Sequence, residues 1–187
     1  MDLKLNLQSD SCLDLAFGKV ISGKEAQVFQ TYFPAVAPAL QEFGLKPLRP
    51  FAVLDTNIRG PIPEQGNLTY VPSVENFVQF HQDARFQKAK PIRDEGMEFL
   101  ADGNLFKSIK EQITLDSNSD YALILSSNQI AKSTSLFELN LSENSPNQRF
   151  RGQSLSLCPW SEDTEKLLHA VPNETIVLKV RFFPESS

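Results

Sequence analysis

The stretch Leu68-Thr-Tyr-Val-Pro-Ser-Val-Glu-Asn-Phe-Val-Gln-Phe-His-Gln-Asp-Ala-Arg-Phe86 decides how this chain folds. Asn67 to Val71 reads as a short strand, and Pro72 ends it because proline has no N–H for a sheet ladder. Ser73 is a good helix N-cap, and Glu75 puts a carboxylate in the positive first turn. Val74, Phe77, Val78 and His81 then share one helical stripe, flanked by Phe80 and Ala84, which predicts a helix to about Phe86. The passage has an echo. Leu155-Ser-Leu-Cys-Pro-Trp-Ser-Glu162 leads to His169 as Leu68 to Glu75 leads to His81. His81 lies nine residues after Pro72 and His169 ten after Pro159, with Trp160 as the inserted residue. Proline at a strand exit and serine at a helix start are common punctuation, so coincidence stands beside duplication as the source.

Upstream, residues 13–21 read as a strand of mixed alternation. Phe29, Phe33, Val36 and Leu40 recur at helical spacing, and Gly44 stands where a C-cap belongs. Pro34 and Pro38 inside that pattern predict a kink or a late start. Leu45 to Ile58 reads as extended, and Pro47 and Pro50 suit an edge strand or a strand entry. Residues 59–66 are turn chemistry, so 45–71 forms a hairpin with a long loop. Beyond Phe86, Pro91 interrupts the helical pattern, and Met97 to Leu100 reads as a further strand. The order strand, helix, strand, strand, helix, strand is the split pattern of ferredoxin-like folds.

The second half is rougher. Leu105, Phe106, Ile109 and Ile113 have helical spacing, and strands are predicted at 121–126, 136–141, about 150–158, and 175–183. Residues 142–149 read as a mobile loop, and Ser161 caps a short helix. Only about nine residues, 127–135, separate the first two of these strands, which predicts a hairpin rather than a crossover. The reading is therefore α+β: a ferredoxin-like unit over 1–103 and a degenerate second unit over 104–187, packed as one compact domain with antiparallel sheets.

The 187 residues carry 18 Lys+Arg against 23 Asp+Glu, a net charge of −5, which argues against nucleic acid because no basic stripe faces a phosphate backbone. Arg85, Lys88, Lys90 and Arg93 are interrupted by Asp83 and Asp94 and read as a solvated helix face. Cys12 and Cys158 fit no zinc spacing and read as packing residues. Met1 to Leu7 lacks the apolar run of a signal peptide, and no stretch has the length of a membrane span. A cytoplasmic protein without membrane partners is the expectation.

Two stretches carry a family resemblance. Tyr32-Phe-Pro-Ala-Val-Ala-Pro-Ala-Leu-Gln-Glu-Phe-Gly44, with Arg49 in the following strand, resembles a tyrosine-rich first helix ending at a glycine. Pro72 to Phe86, followed by Lys90-Pro-Ile-Arg93, resembles a serine-capped aromatic helix with a short acidic break and Pro-x-Arg. In these the first half is similar to the dimeric α/β-barrel superfamily, whose branches include antibiotic-biosynthesis monooxygenases and EthD-like proteins. Gly44 stands alone where many members have a pair of glycines. The resemblance implies a pseudo-dimeric α/β barrel, either within one monomeric chain or in a homodimer. It also implies a cofactor-independent monooxygenase or isomerase.

Among individual residues, His81 is the candidate acid/base, because an imidazole titrates near neutrality. Its place beside Phe77 and Val78 equally suits a packing histidine with one hydrogen bond. Candidate binding residues are Asp55 at a polar strand end, Arg93 for a ligand carboxylate or an ion pair with Asp94 or Glu95, Trp160 at a cleft mouth or as a helix staple, and His169. Neither metal nor cofactor is indicated. The 14 phenylalanines build core, and a surplus could line a pocket between sheet and helices for a small apolar or aromatic ligand. Two functions stay open: a protein whose apolar cavity binds or transforms a small organic molecule, and a non-catalytic interaction protein with a filled barrel core.

Overall fold

A computed structural model describes residues 1–126, 135–147, 154–169 and 175–184. The chain opens with β1 (Asp2–Leu7) and β2 (Cys12–Val20). A π-helical turn (Gln27–Tyr32) leads into α1 (Phe33–Glu42), and β3 (Lys46–Thr56) and β4 (Gln65–Val71) come after it. Next come α2 (Val74–Gln82), α3 (Ala84–Gly96), β5 (Met97–Ala101), β6 (Leu105–Lys107) and β7 (Glu111–Asp116). The second half holds β8 (Tyr121–Ser126), β9 (Phe137–Asn140), β10 (Ser154–Pro159), α4 (Glu162–Lys166) with a 3-10 turn at Leu167–His169, and β11 (Thr175–Phe182). The architecture is α+β with antiparallel sheets. Among the described residues no helix is long and apolar enough to cross a membrane.

Local chemistry explains the helix ends. Pro34 lies inside a continuous helical run, just after the π turn, whose wider backbone leaves room for the proline ring. Gly44, at φ 73°, takes the left-handed conformation that closes the helix. Ser73 caps α2 by accepting from the Asn76 amide at 3.1 Å. The helix read as continuous to Phe86 breaks at Asp83, whose extended backbone ends α2 and whose carboxylate accepts from the Arg85 amide at 2.8 Å to start α3. α3 then runs through Pro91 to Gly96 rather than stopping there.

The large sheet has the order β5-β2-β4-β3-β11-β8-β10-β9, with β6 also paired to β2. In chain order, the first half (β2, β3, β4, β5) and the second (β8, β9, β10, β11) both lie in the arrangement 4-1-3-2. β8 and β9 both pair with β10 and not with each other, so the predicted hairpin between them is corrected to a crossover. That connection lies largely outside the described residues. The two halves meet at β3–β11. At the other end a single bridge, Phe106 to Leu141, ties β6 to the residue just after β9. β3 is interior, but β11 pairs with it only from Phe51 to Thr56, so Pro47 occupies a strand entry paired on one side, while the Pro50 carbonyl accepts from the Phe183 amide at 3.0 Å.

The predicted helix over 105–113 is instead β6 and β7. Glu111 to Asp116 alternates, with Ile113 and Leu115 buried and their neighbours exposed. β7 pairs with β1, whose Leu3, Leu5 and Leu7 alternate in the same way. This ribbon packs into one apolar cluster that draws on both halves, including Leu15, Phe51, Leu123, Leu157 and Phe182. Helices cover the other face: α1, α2 and α3 over the first half, and Trp160, Leu167 and Leu168 over the second. Some of the loop expected to be mobile is anchored. Ser142 and Ser145 are buried, and Ser145 Oγ donates to the Gly103 carbonyl at 2.8 Å and accepts from the Leu105 amide at 3.1 Å. Cys12 and Cys158 are free, buried and in separate clusters.

Candidate functional site

On β2, Leu13, Leu15 and Phe17 point into the large cluster, so the alternate positions Cys12, Asp14, Ala16 and Gly18 face the helices. Helix and sheet do not close fully there. A cavity of about 700 Å³ remains between β2, β3 and β4 on one side and α1, α2 and α3 on the other. Its walls are largely aromatic, with Phe29, Phe33, Phe77, Phe80 and Phe86 among them. Among the groups lining this space that can donate, accept or titrate are Asp14, Tyr32, His81, Arg93 and Asp102.

His81, in the last turn of α2, is held on three sides. Its ring centroid lies 4.1 Å from that of Phe77, 4.5 Å from Phe86 and 5.1 Å from Phe80. Nδ1 is 2.9 Å from the Phe77 carbonyl. A carbonyl can only accept, so Nδ1 carries the proton and Nε2 is the acceptor. Burial holds the imidazole below its ordinary value, which keeps it neutral at pH 7. The residue thus packs as a buried aromatic and also lines the cavity.

Arg93, in α3, is held by two carboxylates. Its Nε and Nη2 donate to Asp94 Oδ1 at 3.0 and 2.8 Å, and Nη1 donates to Asp102 Oδ2 at 3.2 Å. The guanidinium also lies 5.8 Å from the Tyr32 ring centre and 5.6 Å from that of Phe86, within cation–π range. Burial works against its charge, but Tyr32, Asp102 and Asp94 outweigh it and raise the guanidinium further. With both flanking carboxylates bonded to it, the structure holds an ion pair rather than a free seat for a ligand carboxylate. Burial raises the Tyr32 phenol, which stays neutral.

Asp14 does not stand out in the sequence as a site residue. It is 5% exposed, and its Oδ1 has no hydrogen-bond partner among the described residues. Burial, and then the nearby Asp102 carboxylate, push it up to about 8, against the opposing pull of the Gly103 and Asn104 backbone amides. Asn104, beside it, is fully buried and donates to the Leu15 carbonyl at 3.3 Å, with its own Oδ1 unpartnered among the described residues. One sequence signal marks Asp14: a carboxylate inside the otherwise apolar run Leu13-Asp14-Leu15-Ala16-Phe17.

The other named residues lie elsewhere. Asp55 is exposed on β3 opposite Lys179 of β11, with Oδ1 accepting from the Thr56 amide at 2.8 Å. His169 is exposed in the 3-10 turn beyond α4. Trp160 packs under that turn and lines a second cavity of about 510 Å³ with Tyr121, Asp120 and Leu136; Lys179 Nζ sits 4.7 Å over its ring. Asp55, Trp160 and His169 therefore join neither His81 nor Arg93. Among the described residues, no group of three or more His, Cys, Asp or Glu is placed to hold a metal ion.

No protein-family model and no curated protein matches the chain. Two solved structures are similar in shape. One is a "putative monooxygenase" from Lactobacillus acidophilus, 5% identical with a TM-score of 0.42, aligned over 93% of this chain and 94% of that one. The other is a "putative monooxygenase" from Fusobacterium nucleatum, 9% identical with a TM-score of 0.43, aligned over 96% of each chain. Neither likeness is close enough to assign a reaction.

Proposed function

We propose that the chain is a pseudo-dimeric α/β barrel, two ferredoxin-like units in one polypeptide, that binds a small, largely apolar organic molecule between its first half-sheet and helices α1 to α3. The shared 4-1-3-2 strand order supports the duplication, as does the symmetry of the seams. β3, second strand of the first unit, pairs with β11, fourth of the second. β9, second of the second unit, is tied to β6, which extends the pairing on β2 beyond β5.

The observation that carries the binding reading is the 700 Å³ aromatic-walled cavity with converging polar groups, a volume within the usual range for small-molecule sites. The opposite sheet face is filled by leucine and phenylalanine, so the filled core of the competing interaction-protein reading is there and leaves the helix-side cavity untouched. In an enzymatic version of this reading, His81 or Asp14 moves a proton on an oriented substrate, which is the demand that an isomerase or a cofactor-independent monooxygenase makes on its side chains.

The test is titration with N-phenyl-1-naphthylamine, a neutral probe that brightens in apolar surroundings. Saturable one-to-one binding is expected, lost in Ala16→Phe, which fills the cavity from β2. Absent binding, or binding unchanged in a folded Ala16→Phe, would sink the reading.

A further inference from the structure

We infer that Asp14 is a protonated hydrogen-bond donor in the cavity wall and that it selects a neutral apolar ligand carrying an acceptor oxygen. This rests on the cavity being the binding site. Asp14 is fixed in place, since its residue pairs with Thr69 of β4 on one side and Leu105 of β6 on the other. Its side chain lines the cavity and is 5% exposed, while Oδ1 is sealed from solvent and unpartnered among the described residues. A carboxyl so poorly satisfied gains from a ligand atom that bonds the edge it opens to the cavity.

The surroundings decide which ligand atom that is. Asp14 shares its surroundings with Cys12 on its own strand, Thr69 opposite it on β4, Asp102 and the Gly103 and Asn104 amides beyond β5, and, across the cavity, Tyr32, His81 and Arg93 from the helices. Lys107 acts on Cys12 from β6, and Glu64, at the rim, pairs with Lys19. Arg93 is already paired with Asp94 and Asp102. Tyr32 and His81 are both kept neutral by burial. An anionic ligand would find Asp102 without a spare cation. The raised proton affinity of Asp14 makes it a neutral acid at pH 7, whose O–H donates to a ketone, ether or similar oxygen.

The experiment compares 1-tetralone, tetralin, 1-naphthoate and 1-aminotetralin by ligand-observed NMR on the full chain. At pH 7 tetralone is expected to bind about tenfold tighter than tetralin, the worth of one hydrogen bond, with naphthoate weakest. Above pH 8 the tetralone advantage should fade as Asp14 ionises. Asp14→Asn keeps an N–H donor, so it should retain the preference and lose the pH dependence; Asp14→Leu should bind tetralone and tetralin alike. Equal binding of tetralone and tetralin by the unaltered chain would overturn the inference and leave the cavity reading standing. So would tighter binding of aminotetralin, which would make Asp14 a carboxylate seat for amines. Binding of none of the four would overturn both.

Discussion

Replacing Asp14 by Asn removes one ionisable group from the cavity wall while keeping its shape and an oxygen that can accept from the Gly103 and Asn104 amides. The unfolded chain releases the Asp14 proton near pH 3.9, whereas the folded chain holds it to about 8. Between those values the native state binds nearly one more proton than the unfolded state, so stability falls as pH rises, by about 1.4 kcal/mol per unit. The penalty is absent below pH ~4 and complete above pH ~8. At pH 7 it amounts to about 4 kcal/mol, an upper figure because the cavity beside Asp14 opens to solvent. Asn carries none of it.

Asp14→Asn should therefore stabilise the protein by roughly 1 kcal/mol at pH 5 and about 2–4 kcal/mol at pH 7. In a chain of this size the latter corresponds to roughly 5–15 °C in Tm. Urea unfolding of both proteins at pH 5, 6, 7 and 8 measures the difference. His81 has a depressed proton affinity, so it destabilises the fold as pH falls below about 6.5, but it does so in both proteins and cancels. A difference that stays constant from pH 5 to 8, or a variant less stable than the parent at pH 7.5, would refute a buried, protonated Asp14.

Three further outcomes test the packing. Leu5→Ala should cost about 2–5 kcal/mol, because Leu5 is fully buried in the shared cluster, whereas Ile62→Ala, at a 54% exposed position, should stay within about 0.5 kcal/mol; urea unfolding distinguishes them. Gly66→Ala would drive its Cβ into the Phe51 ring and to 2.5 Å from the Ala16 carbonyl oxygen. A loss of about 1–3 kcal/mol is expected, partly restored by Phe51→Leu in the double variant, and additive losses would count against the clash. Ser161→Ala removes a reciprocal capping box with Thr164 and should cost about 1 kcal/mol, read as a Tm shift of a few degrees.

The first half was legible because local signals and packing agree there. Ser73, Gly44 and the 3.6-residue stripe of α2 each specify one conformation, and each is found in it. The region 104–116 misled because Leu105, Phe106, Ile109 and Ile113 satisfy helical spacing by accident. The stronger signal was the alternation of Glu111 to Asp116, and it needed a partner, β1, more than a hundred residues away in sequence. The same long-range dependence hid the crossover between β8 and β9. A short gap suits a hairpin unless another strand, here β10, occupies the neighbouring place.

The site was less legible than the fold for a related reason. His81 and Arg93 stood out because histidine and arginine are conspicuous on any helix, yet both commit polar atoms locally, to the Phe77 carbonyl and to Asp94 and Asp102. Asp14 looked ordinary because strands that alternate often expose every second residue. It becomes unusual only when β2 is known to be covered on both faces, by the leucine cluster on one and by the helices on the other. A carboxylate is then buried whichever way it points, and this one, in a cavity wall with one oxygen unpaired among the described residues, is not satisfied as an ordinary core group is. Mixed alternation in residues 13–21 carried that information: a strand apolar at Leu13, Leu15 and Phe17 and again at Cys12 and Ala16 has no solvent face on which Asp14 could lie.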